Sequence, residues 1–227
     1  MFAGAAITLL VAVLTAGIAH AEGVPHRGAR AAVGRIAVDG DAVCTGVLIV
    51  ERLVLTAAHC VTRHGSGAVA AARVRFAAGW RMGAAADRGA VARIRLPAGY
   101  ERPEAPDEMA ALRTDAALLV LSESAAVTPL ALATHGPGKA AFKAVGYPAH
   151  RPRGQTVQHA CSVTPETRGR AVWRTTCFAV GGASGSPLLS EDRPPRVLGI
   201  IVARGSRSSV AVSAPRIRNL FPGIPGR

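Results

Sequence analysis

From Val33 onward the chain is cut into short apolar runs, each closed by a cluster of turn-forming residues. Asp39-Gly40, His64-Gly65-Ser66-Gly67 and Asp87-Arg88-Gly89 punctuate the first half. Runs this short, broken this often, favour strands and tight turns over long helices, so an all-β barrel or sandwich is predicted. Strands are expected at 33–38, 42–50, 53–57, 69–76, 90–96 and 116–121, then at 141–146, 156–163, 171–178, 187–190, 197–203 and 208–212. A Pro/Gly-bearing link from Leu130 to Gly138 separates the two groups. It divides the region 33–227 into one lobe of about 33–125 and another of about 135–227. Ala214 to Phe221 is expected to form a short closing helix.

Three segments carry chemistry. Thr56-Ala57-Ala58-His59-Cys60 ends an apolar run with a histidine. Thr114-Asp115 heads the run Ala116-Ala117-Leu118-Leu119-Val120-Leu121, where a carboxylate is poorly solvated and needs a hydrogen-bond donor such as an imidazole N–H. Gly181-Gly182-Ala183-Ser184-Gly185-Ser186-Pro187 holds a serine among small residues that let the backbone turn sharply. A serine hydroxyl is a weak nucleophile until a base accepts its proton, and a buried carboxylate orients that base. His59, Asp115 and Ser184 supply these three parts for acyl transfer. The N–H groups of Gly182 and Ser184 are the expected donors to a developing oxyanion.

In this order and with these surroundings the chain resembles the chymotrypsin-like serine peptidases. Cys44-Thr45-Gly46-Val47-Leu48-Ile49 is similar to the strand whose half-cystine pairs with the cysteine after the histidine. The resemblance covers roughly residues 33–221. Ala144-Val145-Gly146-Tyr147-Pro148 and the ending Ser-Gly-Ser-Pro look most like the bacterial glutamyl-endopeptidase-like branch. The resemblance implies two six-stranded antiparallel β-barrels with the active site in the cleft between them. It implies a secreted serine endopeptidase without a cofactor or metal, with His59, Asp115 and Ser184 catalytic. A catalytically inactive relative, acting as a binding module at the cell envelope, is the alternative.

Several positions depart from the family pattern. Ala183 stands where digestive members carry the aspartate that receives a new N-terminal amine on activation, so that switch is not expected here. Val202 replaces a serine that supports the catalytic aspartate. The strand Val197 to Val202 lacks the histidine with which the glutamyl branch reads acidic substrates. Other serine-hydrolase folds are excluded by order. An α/β-hydrolase needs G-x-S-x-G and a histidine after the serine, whereas the fifth position here is Ser186 and no histidine follows His159. A subtilisin-like order needs an aspartate before the histidine, and Asp39 and Asp41 sit in a polar turn.

Residues 1–21 read as a cleavable signal peptide: Ala3 to Ala19 is apolar and small, and Ala19-His20-Ala21 is an A-x-A-like cleavage site, though no Lys or Arg precedes the apolar stretch. Export to a secreted or periplasmic location is expected, with residues 22–32 as a loosely held leader. Removal of the signal leaves about 206 residues, enough for one two-lobed β domain. Four cysteines in an exported chain imply two disulfides with three possible pairings. The family resemblance selects Cys44–Cys60, which leaves Cys161–Cys177. Zinc binding by Cys44, His59 and Cys60 is disfavoured because the usual ligand spacing is missing.

The formal net charge is +13, carried almost wholly by arginine, with Lys139 and Lys143 the two lysines. Joint Ala and Arg enrichment is what GC-rich coding produces, and the charge favours non-specific attraction to anionic envelope surfaces. Aromatic residues are 4% of the chain and no basic stripe is interleaved with them, which argues against a specific nucleic-acid reader. A protein or peptide substrate and a monomeric state are expected. Glu101 to Glu108 reads as a solvated acidic loop. Between Cys161 and Ser184 the only acid is Glu166, so no carboxylate is expected at a specificity-pocket floor near Phe178, and Arg204 is expected near the pocket wall.

Overall fold

The computed structural model describes residues 24–64, 67–102, 109–136, 138, 140–151, 153–165, 171–177, 180–205 and 208–225. The signal-peptide stretch, Glu166, Phe178 and most of the acidic loop lie outside them. The first lobe contains β1 (Val33–Val38), β2 (Asp41–Val50), β3 (Leu53–Thr56), β4 (Thr62–Arg63), β5 (Gly67–Ala68), β6 (Val74–Ala78), β7 (Asp87–Arg95), the helical turn α1 (Met109–Leu112) and β8 (Ala117–Leu121). The second contains β9 (Phe142–Gly146), β10 (Thr156–Cys161), β11 (Val163–Pro165), β12 (Val172–Thr175), β13 (Pro187–Ser190), β14 (Val197–Arg204), β15 (Ser209–Ser213) and α2 (Ala214–Leu220).

The all-β architecture and the short C-terminal helix agree with the sequence reading. In the first lobe β1, β2, β3, β8, β7 and β6 close into a six-stranded barrel, while β4 and β5 form a small separate hairpin. Asp39-Gly40 makes the two-residue β1–β2 turn, with φ of 56° and 93°. Positive φ at both positions gives the turn a twist that matches the strands. Period-2 burial is plain on β6, where Val74, Phe76 and Ala78 are buried and Arg75 is exposed. By contrast β8, β14 and β15 are buried almost throughout.

The second lobe is one seven-stranded sheet in the order β10-β9-β13-β14-β15-β12-β11. Its edge strands β10 and β11 are separated in sequence by Ser162 alone, so the sheet must curl until its edges meet. The Cys161–Cys177 disulfide pins that seam, and Cys44–Cys60 pins β2 to the segment after β3. Each bond spans a sequence separation of 16. Closing such a loop in the unfolded chain is worth ~3 kcal/mol in the chain-entropy account. At the head of α2, the Ser213 hydroxyl accepts from the Arg216 N–H at 3.3 Å, with a proline in the first helical turn.

Three local expectations are corrected. The strand expected at 69–76 begins at Val74, because Ala71–Arg73 form a 3-10 turn that feeds it. The strand expected at 156–163 is split at Ser162, since its two halves lie on opposite sheet edges. The leader, in its described part, is not loose. His26 N–H donates to the Gly79 carbonyl at 2.8 Å, Gly28–Ala32 form a 3-10 turn, and Ala31 and Ala32 are buried.

Candidate active site

His59 and Asp115 meet because β3 and β8 are barrel neighbours. Thr56 lies opposite Ala117, and the antiparallel register carried past both strands brings the two side chains together. Asp115 is 3% exposed. Its Oδ1 accepts the backbone N–H of His59 at 2.9 Å, and its Oδ2 lies 2.7 Å from His59 Nδ1. A buried carboxylate is costly without such donors, and these two hold it as they fix the ring. With Nδ1 facing the carboxylate as donor, Nε2 is left as the ring's acceptor. Burial, and then the charge of Asp115, push the hydroxyl of nearby Tyr100 up to about 12.

Thr45 joins this first-lobe pair to the serine turn of the second lobe. Fully buried in β2, it uses every polar atom it has. Its N–H donates to the Ser184 carbonyl at 2.8 Å, and its carbonyl accepts the Thr56 hydroxyl at 2.7 Å. Its own hydroxyl donates to the Gly182 carbonyl at 3.0 Å and accepts the Tyr147 N–H at 2.9 Å. The turn is therefore seated on the strand next to the one that leads to His59. On its other side it is fastened to β14, where Gly185 N–H donates to the Ile201 carbonyl at 2.7 Å and Ile201 N–H to the Ser186 carbonyl at 2.9 Å.

Within the turn the N–H groups of Ala183, Gly185 and Ser186 are taken by the carbonyls of Val180, Ile201 and Ala183. Among the described residues, no hydrogen bond uses the N–H of Gly182 or Ser184. Gly182 has φ +85°, and a Cβ there would lie 2.5 Å from the Tyr147 carbonyl oxygen. Glycine is needed on both counts. Ser184 is partly exposed, while Ser186 is 2% exposed and its hydroxyl has no partner among the described residues. Of the two serines, Ser184 is the more exposed.

Elsewhere the sequence reading meets the structure unevenly. Cys44, His59 and Cys60 do cluster, but both sulfurs are joined to each other in a disulfide and cannot act as thiolate ligands. Val202 is buried in β14 and brings no hydroxyl to the site. Arg204, at the end of β14, is exposed. Val180, just before the turn, is 36% exposed. Thr45, Thr56, Tyr147 and Gln155 were not picked out as site residues from the sequence. A threonine one position after the half-cystine Cys44 was the available signal, but its partners Tyr147 and Gly182 lie 102 and 137 residues away.

Comparison with known proteins agrees with this fold. The family model described as Trypsin matches residues 22–216. The structure is similar to that of the protease Anisep from Arthrobacter nicotinovorans, with a TM-score of 0.65 and 17% identity over 84% of this chain and 94% of that one. It is similar to a Glu endopeptidase, with a TM-score of 0.63 and 20% identity over 84% and 90% of the two chains. It is also similar to the human heparin binding protein, with a TM-score of 0.63 and 19% identity over 89% and 96%. At these identities the likeness speaks for the fold. A comparison with curated protein sequences returns no match.

Proposed function

Since this chain belongs to the trypsin family of serine peptidases, we propose that it cleaves peptide bonds through an acyl-enzyme on Ser184. The observation that carries the proposal is the doubly held His59–Asp115 pair, at 2.9 and 2.7 Å, in a barrel whose Thr45 also holds the Ser184 turn. His59 Nε2 takes the Ser184 proton as Oγ attacks the scissile carbonyl. The imidazolium then gives that proton to the leaving amine, and water repeats the sequence on the ester. Asp115 holds the ring and stabilises its charged form without itself taking the proton. The N–H groups of Gly182 and Ser184, which no hydrogen bond uses among the described residues, are the donors for the oxyanion, in a turn that small residues keep open.

The enzyme acts outside the cytoplasm in this reading. Two disulfides support it, because such bonds persist in oxidising compartments. The expected signal at 1–21 agrees with it. Among the described residues no helix is long and apolar enough to cross a membrane. An inactive binding module remains the second reading, favoured by the net charge of +13 and by the fold shared with a heparin binding protein.

Reaction with a fluorophosphonate separates the two readings. An enzyme is labelled once, at Ser184, and loses hydrolysis. Ser184→Ala, which keeps the fold, should show no labelling and a rate loss of ~10⁴–10⁶. An unreactive wild-type protein would overturn the enzymatic reading. If the label were abolished by Ser186→Ala and not by Ser184→Ala, the nucleophile would be misassigned.

A further inference from the structure

The turn that carries Gly182 is braced, beside its contact with Thr45, by the loop Tyr147-Pro148-Ala149. Ala149 N–H donates to the Gly181 carbonyl at 2.6 Å, and the Tyr147 carbonyl sits against Gly182. That loop is held at the Tyr147 N–H by the Thr45 hydroxyl and at the Tyr147 hydroxyl by Gln155. The Gln155 amide Nε2 lies 3.0 Å from the Tyr147 hydroxyl, 2.7 Å from the Arg30 carbonyl and 2.9 Å from the Val33 carbonyl. Its Oε1 accepts from Arg30 Nε at 3.0 Å. The Tyr147 hydroxyl reaches the Trp80 carbonyl at 3.0 Å, and its ring meets Trp80 edge-on at 6.2 Å between centroids. Arg35 caps the other ring at 4.0 Å. Burial keeps the Tyr147 phenol protonated far above its ordinary range.

From these contacts we propose that Gln155 is a positioning residue for oxyanion stabilisation. Its carboxamide clamps the leader at Arg30, and the start of β1 at Val33, to Tyr147, and Tyr147 sets the Gly181–Gly182 peptides whose neighbouring N–H groups meet the oxyanion. The inference rests on the peptidase reading above. A neutral amide suits the task here, because its nitrogen faces two carbonyls and a hydroxyl while its oxygen accepts from Arg30. The clamp is made at Arg30 and Val33, and Val24, ahead of them, is 61% exposed. Activity should accordingly depend on Gln155 and not on a free amine at a fixed distance before Val24.

The test compares Gln155→Ala, Gln155→Glu and a variant with a short Gly-Ser insertion before Val24, using ester hydrolysis and the rate of fluorophosphonate labelling. Gln155→Ala should lower kcat by up to about 10²-fold, the loss expected of a misplaced catalytic group, with KM little changed. Gln155→Glu should lose as much, because it keeps the acceptor for Arg30 but removes both N–H donors and faces two carbonyls. The insertion should leave kcat at the wild-type value. Hydrogen exchange of the 180–185 backbone, measured in the Ser184→Ala background, should quicken in Gln155→Ala, and this readout needs no activity. If Gln155→Ala fails to fold, Arg30→Ala replaces it, and kcat should fall by a smaller factor.

Wild-type kcat in folded Gln155→Ala, or in Arg30→Ala where it stands in, overturns the proposal. So does an insertion variant that is as impaired as Gln155→Ala, which would point to a terminal amine instead. A fall in thermal stability with kcat and exchange at 180–185 unchanged reduces Gln155 to a structural role and overturns it as well. Wild-type protein that fails to react with the phosphonate overturns the peptidase reading and this inference with it, an outcome distinct from normal wild-type labelling with an unaffected Gln155 variant.

Discussion

The backbone N–H of Thr45 donates to the carbonyl of Ser184 at 2.8 Å, so a barrel strand of the first lobe holds the serine turn of the second. The same threonine accepts the Thr56 hydroxyl, three residues before His59. One buried residue thereby ties the Ser184 backbone to the strand that leads to His59.

Gly185 is packed against that tie. A Cβ there would lie 2.0 Å from the Thr45 carbonyl oxygen and 2.5 Å from the Thr56 hydroxyl, at φ +81°. Gly185→Ala should cost about 2–4 kcal/mol from left-handed strain and overpacking combined. Chemical denaturation checks the stability. A fluorophosphonate labelling rate lowered at temperatures where the variant is still folded checks the displacement of Ser184. Wild-type stability would mean that the strand and turn separate more easily than their hydrogen bonds suggest.

Asp115→Asn tests the other half of the site. The carboxylate now accepts two N–H groups of His59, at 2.9 and 2.7 Å. An amide can accept one of them and must offer its NH₂ to the other, which forces a flip or the wrong imidazole tautomer. Hydrolysis should fall by ~10⁴, with the fold retained. A loss of tenfold or less, read from kcat/KM, would assign the pair a structural role.

Acid should loosen the leader. Burial first, then the charges of Arg30 and Arg81, hold His26 at about 4, below its ordinary 6.5. The folded state therefore disfavours the imidazolium, and the unfolded leader binds the proton more readily. Stability of the docked leader is full above about 6.5 and is lost as pH falls toward about 4. Hydrogen exchange over 24–33, corrected for its intrinsic pH dependence, should quicken across that window in the wild type and much less in His26→Asn. The same acid response in both would remove His26 as its cause.

Basic residues should be poor at the cleaved bond. The sequence from Val172 to Ala183 holds no Asp or Glu, and a cationic side chain buried there without a carboxylate is left uncompensated by several kcal/mol. The net charge of +13 adds a weaker, salt-screened repulsion. Small and apolar residues are the expected preference. A peptide library scored by mass spectrometry decides the matter, and efficient cleavage of an arginyl amide that benzamidine blocks would count against it.

Much of this was legible along the chain. Apolar runs and turn clusters gave the strand positions to within a few residues, because strand burial and tight turns are local properties of period 2 and of residue type. The motifs around His59, Asp115 and Ser184 pointed to the chemistry, since that chemistry admits few side chains and each carries its own neighbours. Ser162 shows where this reading stops. Nothing in Val157 to Pro165 announces that the chain there passes from one sheet edge to the other.

The sequence by itself determined the strand-rich class and the half-cystines, and it nominates Ser184, His59 and Asp115 as nucleophile, base and orienting acid. Tertiary structure alone decided how those groups are held. The Thr45 contacts to Tyr147 and Gly182 span 102 and 137 residues, and the Gln155 contact to Arg30 spans 125. A hydrogen bond between such distant residues leaves no periodicity in sequence, because it depends on how the two lobes meet. Threonine and glutamine are ordinary surface residues until burial removes their water and obliges each polar atom to find a partner. Only the packed lobes show that Thr45 has found four and that Gln155 bridges the leader to the loop beneath Gly182.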